Sequence, residues 1–223
     1  MFDVVAPRYD FLNRVLSLGR DRAWRRRAVE LARLGPDEVA LDLGVGTGDL
    51  ALALLARSDA TARVVGVDLS DAMLARVRER ASATPLGTRF EGRNADAEAL
   101  PFADASFDRV TAAFTVRNFG DLDAGLRETR RVLRPGGRAV LLEFSRTPHR
   151  AVRPVADLYL HGVVPRLAAL LGGDADAYRY LPASIARFPD AAALAERLRG
   201  AGFARVRYER LNFGTVAIHV AER

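Results

Sequence analysis

Leu41-Asp42-Leu43-Gly44-Val45-Gly46-Thr47-Gly48-Asp49 is a short apolar run that opens into three glycines and closes on a carboxylate. An apolar run of this length, ending in glycine and followed by helix-period residues, is a strand that turns sharply into a helix. Glycine adopts dihedrals other residues avoid and lets the main chain approach a ligand closely. Gly44 and Gly46 therefore offer a backbone cradle, while Thr47 and Gly48 lead into the helix amino terminus. Asp42 is expected to hold the turn by accepting hydrogen bonds from its amides.

The same texture extends outward. Apolar runs near Val39–Leu43, Val64–Asp68, Thr88–Asn94, Phe107–Phe114 and Arg138–Phe144 read as strands, and helix-period segments near Asp49–Ala56, Asp71–Ala81 and Asp121–Leu133 fall between them. Strands alternating with helices predict an α/β domain with a mostly parallel, Rossmann-like sheet. The helix before the fifth strand is expected to stop at Arg134-Pro135-Gly136-Gly137. Two runs at the end of the chain, Ala204–Leu211 and Thr215–Ala221, suit an antiparallel hairpin turning at Asn212-Phe213-Gly214. The 223 residues fit one domain. Its expected parts are a helical cap at 1–35, a cofactor-binding core at 36–145, a proline-punctuated lid at 146–189, and a helix with the hairpin at 190–223.

Composition removes several chemistries. All 34 Lys and Arg residues are Arg, so lysine Schiff-base chemistry is excluded, and there is no Cys to serve as a nucleophile or thiolate ligand. The three histidines, His149, His161 and His219, have no ligand spacing, so no metal is expected. A formal charge of +6 favours anionic partners such as acidic membrane surfaces or nucleic acid. The amino terminus has no charged-then-apolar leader, and no run approaches the ~18 apolar residues of a spanning helix. A cytoplasmic location is expected, with peripheral contact at the inner face of the membrane.

A glycine-rich first turn also opens dinucleotide-binding domains, but their third small residue falls where Asp49 stands here. A carboxylate there suits a cofactor without phosphate better than a pyrophosphate. Asp68 ends the second strand about 20 residues past the glycines, where an acidic residue can accept from both ribose hydroxyls. A nucleotide-dependent oxidoreductase would share that feature. Three later segments separate the two: Asn94-Ala95-Asp96-Ala97-Glu98-Ala99-Leu100-Pro101-Phe102, Ser106-Phe107-Asp108-Arg109-Val110 and Arg131-Val132-Leu133-Arg134-Pro135-Gly136-Gly137-Arg138. With the glycine turn, this succession resembles class I methyltransferases. The resemblance implies S-adenosylmethionine as cofactor, held by Gly44, Gly46, Thr47, Gly48, Asp68, Leu69, Asp96, Ala97 and Ala113. Asp96 would accept from the adenine amino group and Ala97 would offer its amide to the ring.

More specific segments point to one family. Met1-Phe2-Asp3, Arg8-Tyr9-Asp10, Leu12-Asn13-Arg14-Val15-Leu16-Ser17-Leu18-Gly19, Trp24-Arg25-Arg26, Phe114-Thr115-Val116-Arg117-Asn118, Leu142-Glu143-Phe144-Ser145, Tyr178-Arg179-Tyr180-Leu181-Pro182-Ala183-Ser184-Ile185 and Val216-Ala217-Ile218-His219 are similar to the demethylmenaquinone and ubiquinone-precursor C-methyltransferases. The chain departs from their pattern at Thr115-Val116, where Gly-Leu or a similar pair is usual, and at Asn212-Phe213-Gly214-Thr215. It begins at Met1-Phe2-Asp3, where relatives usually carry several further residues.

The resemblance implies methylation of a reduced demethylquinone, demethylmenaquinol first, on ring carbon. Arg117 and Asn118 would be catalytic, Arg117 stabilising a developing phenolate and Asn118 orienting the ring or a bridging water. Tyr9, Asp10, Tyr178 and His219 would contact the substrate, although a single His in a strand is also an ordinary structural residue. Val152–Leu171 could take the isoprenoid tail or touch the membrane, or serve simply as the apolar underside of the lid. Another aromatic small molecule or RNA is an alternative acceptor, but no nucleic-acid-binding module accompanies the basic Trp24-Arg25-Arg26-Arg27, so no nucleic-acid partner is expected. A homodimer is compatible with this reading.

Overall fold

Strand β1 (Val39–Leu43) is buried along four of its five residues, as the continuous apolar run requires at the centre of a parallel sheet. The computed structural model describes residues 17–166 and 175–223, and for His161 and residues 175–180 it describes the backbone alone. The calls on Tyr9 and Asp10 thus lie outside the described residues, as does the side chain of Tyr178. Helix α1 (Asp21–Ala32) precedes β1. Helix α2 (Asp49–Arg57), β2 (Arg63–Asp68), α3 (Asp71–Ser82), β3 (Phe90–Asn94), β4 (Phe107–Ala113), α4 (Leu122–Val132) and β5 (Leu133–Phe144) follow. Then come α5 (Arg153–Leu158), running into a π turn at Tyr159–Val163, α6 (Ala175–Arg187), α7 (Ala191–Gly200), β6 (Arg205–Leu211) and β7 (Val216–Glu222).

The seven strands form one sheet in the order β3-β2-β1-β4-β5-β7-β6. The first five are parallel, while β7 runs antiparallel to both β5 and β6. From β1 the chain moves outward through β2 and β3, then crosses back to lay β4 on the other side of β1. Open α/β sheets bind ligands at such a reversal, outside the carboxyl ends of the strands.

Alternation along the strands divides the core in two. On one face Ala40, Val140, Leu142, Ile218 and Val220 pack with Trp24, Ala28, Leu31, Leu54 and Leu74, so α1, α2 and α3 cover it. On the other, Leu41, Leu43, Val110, Ala139 and Leu141 pack with Leu126, Leu194 and Leu198 of α4 and α7. Helix α1 thus lies within one of the helical layers, with Trp24 and Ala28 buried. Three helix starts carry a side-chain cap. The Ser70 hydroxyl accepts from the Met73 amide at 3.2 Å, Asp121 accepts from Ala124 at 3.0 Å, and Asp190 accepts from Ala192 and Ala193.

Two strand starts differ from the sequence reading by more than one residue. Strand β3 begins at Phe90 because Pro85–Arg89 forms a 3-10 turn capped by Thr84, whose hydroxyl accepts from Leu86 at 3.2 Å. Strand β5 begins at Leu133, and Arg134–Gly137 lies within it over a register shift against β4. Gly137 fits there because a Cβ would stand 2.8 Å from the Arg134 carbonyl oxygen and 3.0 Å from that of Asp108.

Candidate active site

A cavity opens at the reversal between β1 and β4. Its floor is the glycine turn. Gly44 has φ 58° and Gly46 φ 53°, the left-handed region where side chains are disfavoured. A Cβ on Gly44 would lie 2.2 Å from the Thr115 side chain, whereas Gly46 meets only the Gly44 carbonyl oxygen at 4.0 Å and faces open space. Gly46 therefore supplies the bare backbone that a ligand can approach.

Asp68 fastens this turn. One carboxylate oxygen accepts from the Gly46 amide at 2.8 Å and the other from Ser70 at 3.0 Å. Each oxygen has a further lone pair, so the group can also accept from a pair of vicinal hydroxyls. Asp42, expected to hold the turn's amides, instead takes the Thr111 hydroxyl at 2.7 Å and is fully buried. Burial pushes its carboxyl up to about 7, against the opposing effects of the Thr111 bond and the nearby Arg25 charge.

The cavity is lined by Gly44, Gly46, Thr47, Asp68, Leu69, Asp96, Ala97, Ala113 and Asn118 among the residues read from sequence. Gly48 is not among them. Its φ is 89° and a Cβ there would stand 2.3 Å from Val77, so this glycine lets α2 start close against α3. Asp96, at the end of β3, accepts from the Glu98 amide at 2.9 Å. Glu98 in turn accepts from Gly120 at 2.6 Å and Asp121 at 2.7 Å, which ties the β3 loop to the start of α4.

Beyond β4 the chain forms a 3-10 turn, Val116–Asn118, and neighbouring residues part company. Asn118 lines the cavity, but Arg117 points into the protein with 7% of its side chain exposed. Arg117 sits 3.2 Å from Glu143, which is 1% exposed, and also donates to the Phe114 carbonyl. Glu143 accepts from the Arg117 amide at 3.2 Å and the Phe144 amide at 2.8 Å as well. Burial pushes the Glu143 carboxyl up and the adjacent guanidinium opposes it. Arg117 is therefore not among the residues that line the cavity.

His219 is also placed away from the cavity. It is 1% exposed on β7, 2.7 Å from the Ala191 carbonyl at the start of α7, with its ring 5.3 Å from that of Tyr208. Burial pushes its pKa down to about 4, so the ring is neutral and donates to that carbonyl. The alternation of β7 sends it to the face covered by α7. His219, read from sequence as a substrate contact, does not line the cavity.

Several lining residues are not singled out by the sequence reading, among them Arg25, Phe114 and Phe119. Phe114 has φ 60°, which turns its ring between Trp24 at 6.2 Å and Phe144 at 4.7 Å. The sequence signal for Arg25 is faint: it follows the buried Trp24 on α1.

Residues 1–223 match the ubiE/COQ5 methyltransferase family. The chain is 51% identical to the demethylmenaquinone methyltransferase of Thermus thermophilus over the whole of both chains. It is 47% identical to that of Deinococcus radiodurans, covering all of this chain and 91% of the relative. This chain belongs to the ubiE/COQ5 methyltransferase family. A third family relative, the ubiquinone/menaquinone biosynthesis C-methyltransferase of Geotalea daltonii, is 40% identical over all of this chain and 94% of its own. Among solved structures, a methyltransferase from Thermotoga maritima described as dependent on S-adenosylmethionine superposes with TM-score 0.68 at 20% identity, covering 100% and 99% of the two chains. The cyclase SpnF superposes with TM-score 0.73 at 21% identity, covering 100% and 94%. Likeness at that identity concerns the fold alone, so the family's chemistry rests on the sequence matches.

Proposed function

We propose that the chain transfers a methyl group from S-adenosylmethionine to a ring carbon of a reduced demethylquinone, with demethylmenaquinol as the first candidate. The full-length identity of 51% to a demethylmenaquinone methyltransferase carries this reading. The cavity fits the donor chemically: Asp68 for the ribose, Asp96 and Ala97 for the adenine, Leu69 and Ala113 for apolar contact, and the open backbone at Gly46 for the sulfonium end. Bound there, S-adenosylmethionine supplies an electrophilic methyl group for in-line displacement.

The protein's share is alignment and exclusion of water. The acceptor gives up a phenolic proton to solvent, the ring carbon takes the methyl group as its bond to the donor sulfur breaks to leave a neutral thioether, and the proton on that carbon then leaves while the oxygen regains one, so that one proton is released overall. Asn118 faces the cavity and orients the acceptor or a bridging water. Arg117 acts from behind: bound to Glu143 and the Phe114 carbonyl, it fixes the turn that presents Asn118 and adds positive charge beneath the developing phenolate. Tyr9, Asp10 and Tyr178 would close the acceptor side.

Around α5, exposed Val155, Leu158 and Val163 stand among Arg146, Arg150, Arg153 and Arg166. This mixture would rest α5 on anionic lipid at the inner face of the membrane, where an isoprenoid quinol resides. No helix among the described residues is long and apolar enough to cross a membrane.

Quinone profiling by mass spectrometry in a deletion strain, with and without the restored gene, tests the assignment. A quinone lighter by one methyl substituent should accumulate and disappear on restoration. An unchanged profile, or tighter binding of NAD(H) than of S-adenosylhomocysteine to the purified protein, would refute it.

A further inference from the structure

We propose that Arg25 binds the carboxylate at the amino-acid end of the methyl donor, so that helix α1 sets the preference for an intact amino-acid tail. The inference rests on the donor reading above. Asp68 and Asp96 direct a nucleoside toward the ends of β2 and β3, and Asn118 marks the acceptor side past β4. The remaining wall lies over the glycine turn, where Arg25, Asp42 and Asp49 come together.

Arg25 has no hydrogen-bonded anion among the described residues. Its side chain is 14% exposed, and its Nε has no hydrogen-bond partner among the described residues. Asp49 is the nearest carboxylate to it among the ion pairs, at 3.9 Å, beyond hydrogen-bond range. Asp49 is already engaged by Arg80, which donates to it at 2.8 Å and to the Thr47 carbonyl at 2.6 Å. Asp49 thus gives its close contact to Arg80, and Arg25 is left without a hydrogen-bonded carboxylate among the described residues. The Arg25 guanidinium also lies over the Phe114 ring at 5.5 Å. That contact orients its plane, and the side chain lines the cavity. An unmet donor on a largely buried cation is costly, and a carboxylate is the group that matches its planar array of donors. Asp42, on the floor of the same wall, supplies the opposite charge for the neighbouring α-ammonium.

The test is calorimetric titration of the full chain, Arg25→Ala and Arg25→Lys with S-adenosylmethionine and with decarboxylated S-adenosylmethionine, which differ only by the carboxylate. The unaltered protein should prefer the intact donor by about ten- to a hundredfold. Arg25→Ala should lose that preference by weakening the intact donor alone, holding the decarboxylated one to within about twofold. Arg25→Lys should restore part of the difference, since charge returns without the planar donors. Retained binding of the decarboxylated ligand shows that the variant is folded. Equal weakening of both ligands, or a preference that survives in Arg25→Ala, would overturn the proposal and make Arg25 a support for Phe114 and Asp49. Should Arg25→Ala fail to fold, the same comparison in Arg25→Gln decides. If the unaltered protein binds neither ligand, the donor reading fails along with this one.

Discussion

The two halves of the cavity are built differently. On the donor side the working groups stand at strand ends: the glycine turn after β1, Asp68 closing β2, and Asp96 just past β3. Their placement follows from backbone topology, and each lines the cavity as its position in sequence implies. On the side proposed for the acceptor, the candidate groups sit on one 3-10 turn, where adjacent residues part, Asn118 to the cavity and Arg117 to Glu143. A site made of strand ends tolerates changes in neighbouring side chains. One made of a single turn depends on the buried contacts behind it.

The largest effect should come from breaking those contacts. Arg117→Ala leaves Glu143 buried without its cation, which typically costs about 3–5 kcal/mol of stability. Turnover should fall by about a hundredfold or more as Asn118 loses its support. Affinity for S-adenosylhomocysteine should stay within about twofold, because the donor side is separate. Urea denaturation, single-turnover methylation of a reduced short-tail demethylquinol, and calorimetry give the three readings. A matching loss of donor affinity would show that the two halves are not independent.

His219 sharpens the contrast from outside the cavity. Its folded pKa of about 4 lies below the ordinary 6.5, so its stabilising effect is complete above pH 6.5 and is lost as pH falls toward 4. Stability should drop by about 1.4 kcal/mol per pH unit across that window, about 3 kcal/mol in all. His219→Phe should flatten this component of the pH–stability curve. Turnover at pH 7.5 in folded His219→Phe should be close to normal, and a hundredfold loss there would return His219 to the acceptor site.

The donor half predicts the opposite pattern from Arg117. Asp68→Ala removes a charged acceptor worth about 1.5–3 kcal/mol, so affinity for S-adenosylhomocysteine should fall about ten- to a hundredfold. Turnover at saturating donor should change less. Unchanged affinity in the folded variant would remove Asp68 from the ribose site. The smallest effect concerns α5. Weak sedimentation with phosphatidylserine-containing vesicles at low ionic strength should fade in 0.15 M salt, as screening of exposed arginines requires. Absence of binding at low salt would end the membrane-contact reading.

How much could be read beforehand follows the same division. The strands, most helices, the terminal hairpin and the cavity-lining residues at the strand ends were legible because they depend on periodicity over a few neighbours and on where glycines fall. Arg117 was legible as a residue just past β4 but not as a buried partner of Glu143. The residue before a side chain that faces the cavity gives no local indication of its own direction within a 3-10 turn. Gly48 looked like the other glycines of its turn. Only the distance to Val77 assigns it to packing between helices.

The amino-acid sequence by itself therefore determined a Rossmann-like methyltransferase fold, the cradle at Gly44–Thr47 and the acidic residues that end β2 and follow β3. These are consequences of local dihedral preference and of apolar patterning, and both act between residues close in the chain. The tertiary structure alone decided that Arg117 turns to Glu143, that His219 lies beneath α7, and that Arg25 reaches the cavity wall. Those contacts join residues separated by 26, 28 and 24 positions, in segments that meet only when strands pair and helices pack on the sheet. Their directions follow from which face each strand presents and from which buried charge finds a partner there.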